Sequence, residues 1–383
     1  MSYVKEIHLK NFRNFDNLKL NFKNGVNLIL GKNGEGKTSI LEAISLCISG
    51  ASFRPGKFDT YIKFNSEFSN IKTYFKDDYL NSDVEFNFLK DKKSVFYNSK
   101  KISLNKLQKK NHYILFSPES LSVIKNGPDE RRNLIDELLK SFSLENIEII
   151  NNFKKSLKSR NKVLRDYKKE NATLDETMSI LNSLDELYLK YASELTFKRI
   201  EVINKITPFI KNAFQYITGN ENVDIFVDYL ISSDKSNKHN LEEIKKVLQE
   251  KRTSILKGEL AMGSSLVGPH KHDIQFLFNG SDSRYYCSQG QQRALILAFK
   301  MAQIVYHYGI FKKYPILLLD DVMSELDETK RHNLLNFLKG INAQIFITTT
   351  EFDLQNQIDH SSLSVYEIVE GKISDNNSTG VSL

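Results

Sequence analysis

Gly31-Lys32-Asn33-Gly34-Glu35-Gly36-Lys37-Thr38 satisfies G-x-x-x-x-G-K-[ST], the phosphate-binding P-loop. Its flanks supply the context that the motif needs. Residues 26–30 (Val-Asn-Leu-Ile-Leu) read as a short apolar strand, and residues 38–48 as a helix with Ile40, Ile44 and Ile48 on one face. In such a turn the glycines let backbone N–H groups close around phosphate, and the helix N-terminus adds positive potential. Lys37 is expected to reach the β- and γ-phosphates of ATP, Thr38 to bind Mg²⁺ through its hydroxyl, and Ser39 to complete the cradle. A chance match in a glycine-rich turn is the alternative; its placement between strand and helix argues against chance.

The rest of the chain fits a large soluble protein. Its 383 residues predict two or three domains, with 40% hydrophobic and 26% charged residues. No apolar run approaches the roughly 18 residues of a membrane span. The N-terminus has no apolar signal core. Cys47 and Cys287 cannot form a disulfide framework, which predicts a reducing cytoplasm. The net charge of +7 suits nucleic acid or an anionic membrane, and equally a Lys-, Asn- and Ile-rich proteome.

Short stretches at 71–75, 84–89 and 94–97 alternate polar and apolar, predicting half-buried antiparallel strands, with a hairpin end at 97–101. From Pro128 to Thr218 there is no glycine and the pattern turns helical. Pro128-Asp129-Glu130 opens a helix as expected, and Pro208 should kink or end the long run. A strand is expected at 222–230 and a helix at 240–256. The apolar stretch 295–305 reads as a buried helix, 315–319 and 343–349 as buried strands, 329–339 as a helix, and the chain from about 371 as frayed. The resulting fold class is α/β: an ABC-type P-loop ATPase head built from both termini (1–127 and 263–383), with an inserted, mainly helical second lobe at 128–262.

Residues 316–321 (Ile-Leu-Leu-Leu-Asp-Asp) form a Walker B pattern, a buried strand ending in acids. Asp320 is expected to hold Mg²⁺ and Asp321 to activate water; a strand ending in a solvated turn is the plain alternative. Residues 287–293, around Ser288, Gly290 and Gln291, resemble the signature loop of ABC-type ATPases. Ser288-x-x-Gln291 is also a capping box, and both readings can hold. Residues 324–327, ending in Asp327, resemble the D-loop. This set implies an ABC-type head in which the signature of one subunit caps ATP on the other, giving an isologous homodimer.

The resemblance narrows to one family. His8-Leu-Lys-Asn-Phe-Arg13, the P-loop, Ser52-Phe-Arg54, Phe116-Ser-Pro-Glu-Ser-Leu121, Arg131-Arg132, Gly268-Pro-His-Lys-His-Asp273 and the stretch 319–327 resemble RecF recombination mediators, from residue 3 to about 350. The resemblance implies a cytoplasmic, nucleoid-associated protein. It would bind ATP, dimerise on it, and bind gapped DNA and single-strand–duplex junctions. With RecO and RecR it would place RecA, supporting repair, replication restart and the SOS response. It implies Arg13 near the nucleotide, and Ser288 and Gly290 on the partner's γ-phosphate.

Three departures imply slow, switch-like hydrolysis. Asp321 stands where many ABC heads have Glu, and Ser117–Glu119 and Thr350 lack the usual Gln and His. The family's Gly-Pro-His-Arg-Asp-Asp is altered here by Lys271 and His272. His270, His272 and Asp273 suit a functional turn, a plain turn or metal ligation, with both histidines on one strand face. The run Lys154, Lys155, Lys158, Arg160, Lys162, Arg165, Lys168 and Lys169 suits DNA phosphates or a solvated helix face. Lys100, Lys101, Lys106, Lys109 and Lys110 allow the same two readings. Three competing readings remain: the ATPase subunit of a membrane transporter; an SMC-like clamp, whose arms would run far beyond the roughly 80 Å that helices of about 55 residues can span; and a non-hydrolysing ATP-gated scaffold, which kinetics would separate.

Overall fold

A computed structural model describes residues 3–54, 56–77, 80–107, 111–232, 234–351 and 363–374. The P-loop strand Val26–Leu30 pairs in parallel with Ile345–Thr349 on one side and Leu363–Val369 on the other. Ile345–Thr349 pairs in parallel with Ile316–Asp320, which pairs with Tyr113–Phe116. Lys372–Ile373 closes the opposite edge as an antiparallel strand. This 6-stranded sheet therefore draws on both ends of the chain. Ile316–Asp320 and Ile345–Thr349 are buried at every residue. Strands covered on both faces read as continuous apolar runs, which is how they look in the sequence.

A second 6-stranded sheet is antiparallel, in the order Phe15–Asn21, Tyr3–Phe12, Phe68–Lys76, Asn81–Leu89, Lys92–Tyr97, Lys100–Lys101. Here burial alternates, one face inward and one outward, as the period-2 patterning requires. The expected hairpin end is present: Tyr97 pairs with Lys100 across Asn98 and Ser99, both left-handed at φ 48° and 62°. The helix Lys37–Ser49 is buried along most of its length, and Ile40, Ile44, Phe12, Phe86, Leu318 and Phe346 belong to one core cluster.

The chain resolves into two compact units: Met1–Leu121 with Tyr216–Gly219 and Gln303–Leu383, and Ser122–Gln215 with Asn220–Ala302. These limits differ from the expected 128–262 insertion. The strand Asp273–Phe278, expected in the head, pairs with Ile225–Ile231 in a 4-stranded sheet of the second unit. The chain changes unit inside the helix Gln289–Phe311. That helix is long and apolar enough to cross a membrane, but Ala294–Phe299 are wholly buried in protein, as in a core helix.

The second unit is built on the helices Pro128–Lys140, Leu144–Lys168, Leu174–Thr218 (the unit takes it to Gln215) and Leu241–Met262. Two buried arginines lock them. Arg199 reaches Asp136 at 2.8 and 3.0 Å, and Arg160 reaches Asp185 at 2.7 Å and Glu259 at 2.6 Å. Removing one partner of such a pair leaves a buried charge uncompensated, at a cost of about 3–5 kcal/mol.

Some expectations fail. Pro208 does not end its helix: Leu174–Thr218 continues past it over 45 residues in all. Ile203, Ile206, Ile210 and Phe214 are buried on either side, so packing offsets the backbone bond that proline forfeits. Residues 371–374 form the end of a hairpin rather than a frayed tail, while 375–383 lie outside the described residues.

Four histidines, His272 and His307 buried and His112 and His270 half-buried, are shifted toward the neutral form. Burial holds His270 and His307 down at about 4, and also lowers His112 and His272. His112 and His307 bond to each other at 3.0 Å. Their folded-state pKa values lie below the unfolded value, so their contribution to stability is full above pH 6.5. It is lost as pH falls toward about 4, at about 1.4 kcal/mol per pH unit for each histidine fully engaged. The urea midpoint should therefore drop clearly between pH 7.5 and pH 5. A midpoint unchanged over that interval would sink this account.

Candidate nucleotide site

The first unit brings P-loop and Walker B residues together. Gly36 caps the helix Lys37–Ser49 at φ 103°, with no side chain occupying the helix's first amides. A Cβ there would stand 2.5 Å from Phe15 Cζ and 2.6 Å from Asn14 Nδ2, so only glycine fits. The open N–H groups are what an anion binds. Lys37 donates to the carbonyls of Gly31 and Lys32 at 2.6 and 2.8 Å, keeping its ammonium folded over its own loop. Burial lowers its pKa, and the nearby charges of Asp321, Asp320 and Glu35 oppose that.

Opposite the loop, Asp320 Oδ1 accepts from Thr38 Oγ1 at 2.9 Å and from Thr348 Oγ1 at 2.8 Å. Burial raises the Asp320 pKa, while these two hydroxyls favour its charged form. Asp321 sits in the left-handed region at φ 50°. Its amide donates to Thr348 Oγ1 at 3.0 Å, and its own Oδ1 is buried without a hydrogen-bond partner. Burial raises its pKa as well, with Lys37 the largest opposing influence. A hydroxyl, a carboxylate and an orphaned carboxylate oxygen form a hard-oxygen donor set that suits Mg²⁺.

The other predicted residues make contacts of their own. Asn14 Nδ2 donates to Glu35 O at 3.0 Å, and the Glu35 side chain accepts from the Glu370 amide. Arg13, itself left-handed at φ 55°, turns its guanidinium onto buried Glu42 at 2.6 and 2.9 Å, over the Tyr61 ring. Asp327 caps the helix Glu328–Lys339 by accepting from Lys330 N at 2.9 Å. The signature residues belong to the second unit. The capping box there is reciprocal: Ser288 N donates to Gln291 Oε1 at 2.8 Å and Gln291 N to Ser288 Oγ at 3.3 Å. At Gly290 an added Cβ would meet nothing within 4 Å.

The family model "RecF/RecN/SMC N terminal domain" matches residues 3–374. The chain belongs to the RecF family. "DNA replication and repair protein RecF" of Heliobacterium modesticaldum is 32% identical over 98% of this chain and 99% of that protein. The Bacillus cereus protein of the same name is 34% identical over 94% of each chain. A solved structure described as the recombination mediator protein RecF with ATP in the RecFOR pathway superposes with TM-score 0.85 at 31% identity, covering 97% of each chain. The Smc head domain of Pyrococcus furiosus, at 15% identity and TM-score 0.56, shares the fold. The ABC-type ATPase head expected from the sequence is thus the fold of this RecF-family chain.

The turn of the RecF-like Gly268–Asp273 stretch has a structural role in this chain. His270 and His272 lie before the strand Asp273–Phe278, not on one strand face. His270 Nε2 bonds Ser265 O at 3.0 Å and His272 Nδ1 bonds Tyr229 Oη at 2.9 Å. Among the described residues no group of three or more His, Cys, Asp or Glu could hold a metal. Arg131 grips Asp273 at 2.9 and 3.0 Å, and Arg132 pairs with Asp129 and reaches His272 O at 2.5 Å.

Sequence reasoning missed Thr348, Asn14 and Glu42. Thr348 is the last residue but one of a buried strand and lies in register with Asp320, a pairing that no local pattern announces. Thr348→Val should lower kcat for ATP about tenfold and change ATP affinity less than about threefold, since one bond to a charged group contributes about 1.5–3 kcal/mol. Thr348→Ser should keep most activity. Equal loss in both variants would reject the hydroxyl's role.

Proposed function

We propose that this chain is an ATP-gated DNA-binding protein of recombinational repair. The observation that carries this reading is the clustering of Lys37, Thr38, Asp320 and Asp321 at one P-loop, in a chain matched end to end by RecF relatives. The P-loop amides and Lys37 hold the triphosphate, with Thr38 and Asp320 as the Mg²⁺ ligands. Bound Mg²⁺ supplies charge neutralisation at the phosphates. Thr348 fixes the Asp320 carboxylate and the Asp321 amide. Asp321, with an unpartnered oxygen and a pKa raised by burial, orients the attacking water and takes its proton.

Hydrolysis is slow because Asp321 is one methylene short of Glu, and it serves as a timer. ATP joins two copies, with Ser288, Gly290 and Gln291 of one copy against the nucleotide of the other. The dimer binds duplex next to a single-strand gap, without reading sequence. In the cytoplasm, at the nucleoid, it works with RecO and RecR to place RecA, supporting replication restart and SOS induction. The helices Leu144–Lys168 and Leu174–Thr218, of 25 and 45 residues, are far too short for SMC-type arms. The names of the relatives favour DNA over a transporter partner.

Sedimentation and gapped-DNA binding, with and without ATP, test this reading. ATP should drive dimerisation and tighten DNA binding, and Lys37→Arg should lose both ATP effects. A chain that stays monomeric and ignores DNA near 0.15 M salt would refute it. Asp321→Asn should lower kcat about 100-fold while leaving ATP affinity nearly unchanged, as loss of a general base does. Wild-type turnover should stay below about 1 s⁻¹, the low end of the usual range for enzymes.

A further inference from the structure

The helix Leu144–Lys168 and the residue after it carry eight cations, and the structure separates them into two groups. Arg160 turns inward. It is fully buried, bonded to Asp185, Glu259 and Ser265 at 2.7, 2.6 and 2.8 Å, and stacked over the Tyr188 ring. Lys154, Lys155, Lys158, Lys162, Arg165, Lys168 and Lys169 are exposed. At 3.6 residues per turn those seven fall within an arc of about 140° on the opposite side from Arg160, along about 22 Å of axis. They form one continuous stripe.

Among the described residues none of the seven pairs with a carboxylate. Elsewhere lysines at the surface do so: Lys63 with Asp16 at 2.6 Å, Lys205 with Glu201 at 2.7 Å, Lys211 with Asp224 at 2.8 Å. Like charges three and four residues apart on a helix oppose one another by a few tenths of a kcal/mol each. This stripe keeps such pairs with no salt bridge to offset them; the charge of Asp136 acts on Lys154, and Asp166 lies just outside the arc. Lys154, Lys158 and Arg165 also line a groove of about 340 Å³ beside Asn161, Gly263 and Ser264.

We infer that this stripe is a docking surface for the phosphodiester backbone of duplex DNA, an inference that rests on the DNA-binding reading above. A row of cations answers a row of phosphates and carries no base-reading group. No aromatic side chain lies within the arc, so the stacking platform that single strands use is missing. A membrane surface is disfavoured because the apolar face of this helix is already spent. Ile147, Ile150, Phe153 and Leu164 are buried, leaving nothing to insert among lipids.

The test compares two triple variants of equal charge in the full chain with ATP: Lys155→Gln, Lys158→Gln and Lys162→Gln on the stripe, and Lys100→Gln, Lys101→Gln and Lys106→Gln on the other basic run. Thermal melting and ATP affinity check that both fold. The probes are a blunt duplex, a gapped duplex and a single strand of equal length. The stripe variant should bind both duplex probes at least about tenfold more weakly near 0.15 M salt. Its log Kd versus log salt slope should fall by about 2–3, at about 0.9 per lost phosphate contact. Unchanged affinity and slope would overturn the stripe while wild-type gap binding keeps the DNA reading. An equal loss in the Lys100 set, or a single strand competing as well as duplex, would also overturn it. A wild type that binds none of the probes would end both proposals.

Discussion

One carboxylate oxygen ties the nucleotide unit together. Asp320 Oδ1 takes a hydrogen bond from Thr38, 282 residues away in the chain, and another from Thr348, 28 residues away, joining three segments. Two hydroxyl donors on one buried oxygen favour the ionised carboxylate, which burial alone would disfavour. The parallel sheet makes this possible. Val26–Leu30 leads into the P-loop, and its parallel neighbour Ile345–Thr349 and the next strand, Ile316–Asp320, finish at the same end of the sheet. The crevice beyond the carboxyl ends of parallel strands is where open α/β sheets bind ligands.

The second unit rests on a different constraint. Buried arginines converge on the segment from Ser265 to Asp273: Arg160 on the Ser265 hydroxyl, Arg199 on the Pro269 carbonyl, Arg132 on the His272 carbonyl, Arg131 on the Asp273 carboxylate. Each guanidinium also engages acids or carbonyls on other segments, so one turn fixes the positions of several helices. Burial first, and then the same crowding of cations, lowers the pKa of His270 and His272 and favours their neutral forms.

Inward and outward cations thus do different work in a chain with net charge +7. Arg131, Arg132, Arg160 and Arg199 are turned inward, where the planar guanidinium fork satisfies several acceptors at once. Lysines dominate the surface stripe, where hydration of the ammonium keeps exposure favourable. The bulk charge says nothing of this division.

The sequence by itself determined the P-loop, the Walker B strand, the capping box at Ser288 and Gln291, and the α/β class. Those signals are local: a fixed spacing in a turn, a run of apolar residues, or a side chain reaching three residues along. Residue types alone also placed Lys37, Thr38, Asp320 and Asp321 in one kind of site. Only the tertiary structure decided that Thr348 shares the Asp320 oxygen, that Arg13 lies against Glu42, and that Arg160 leaves the basic stripe for the core. It also carried the helix Leu174–Thr218 past Pro208 and drew Asp273–Phe278 into the second unit. These outcomes depend on partners distant in sequence. Packing and ion pairing there outweigh local propensity, and no window of neighbouring residues contains the partner that decides them.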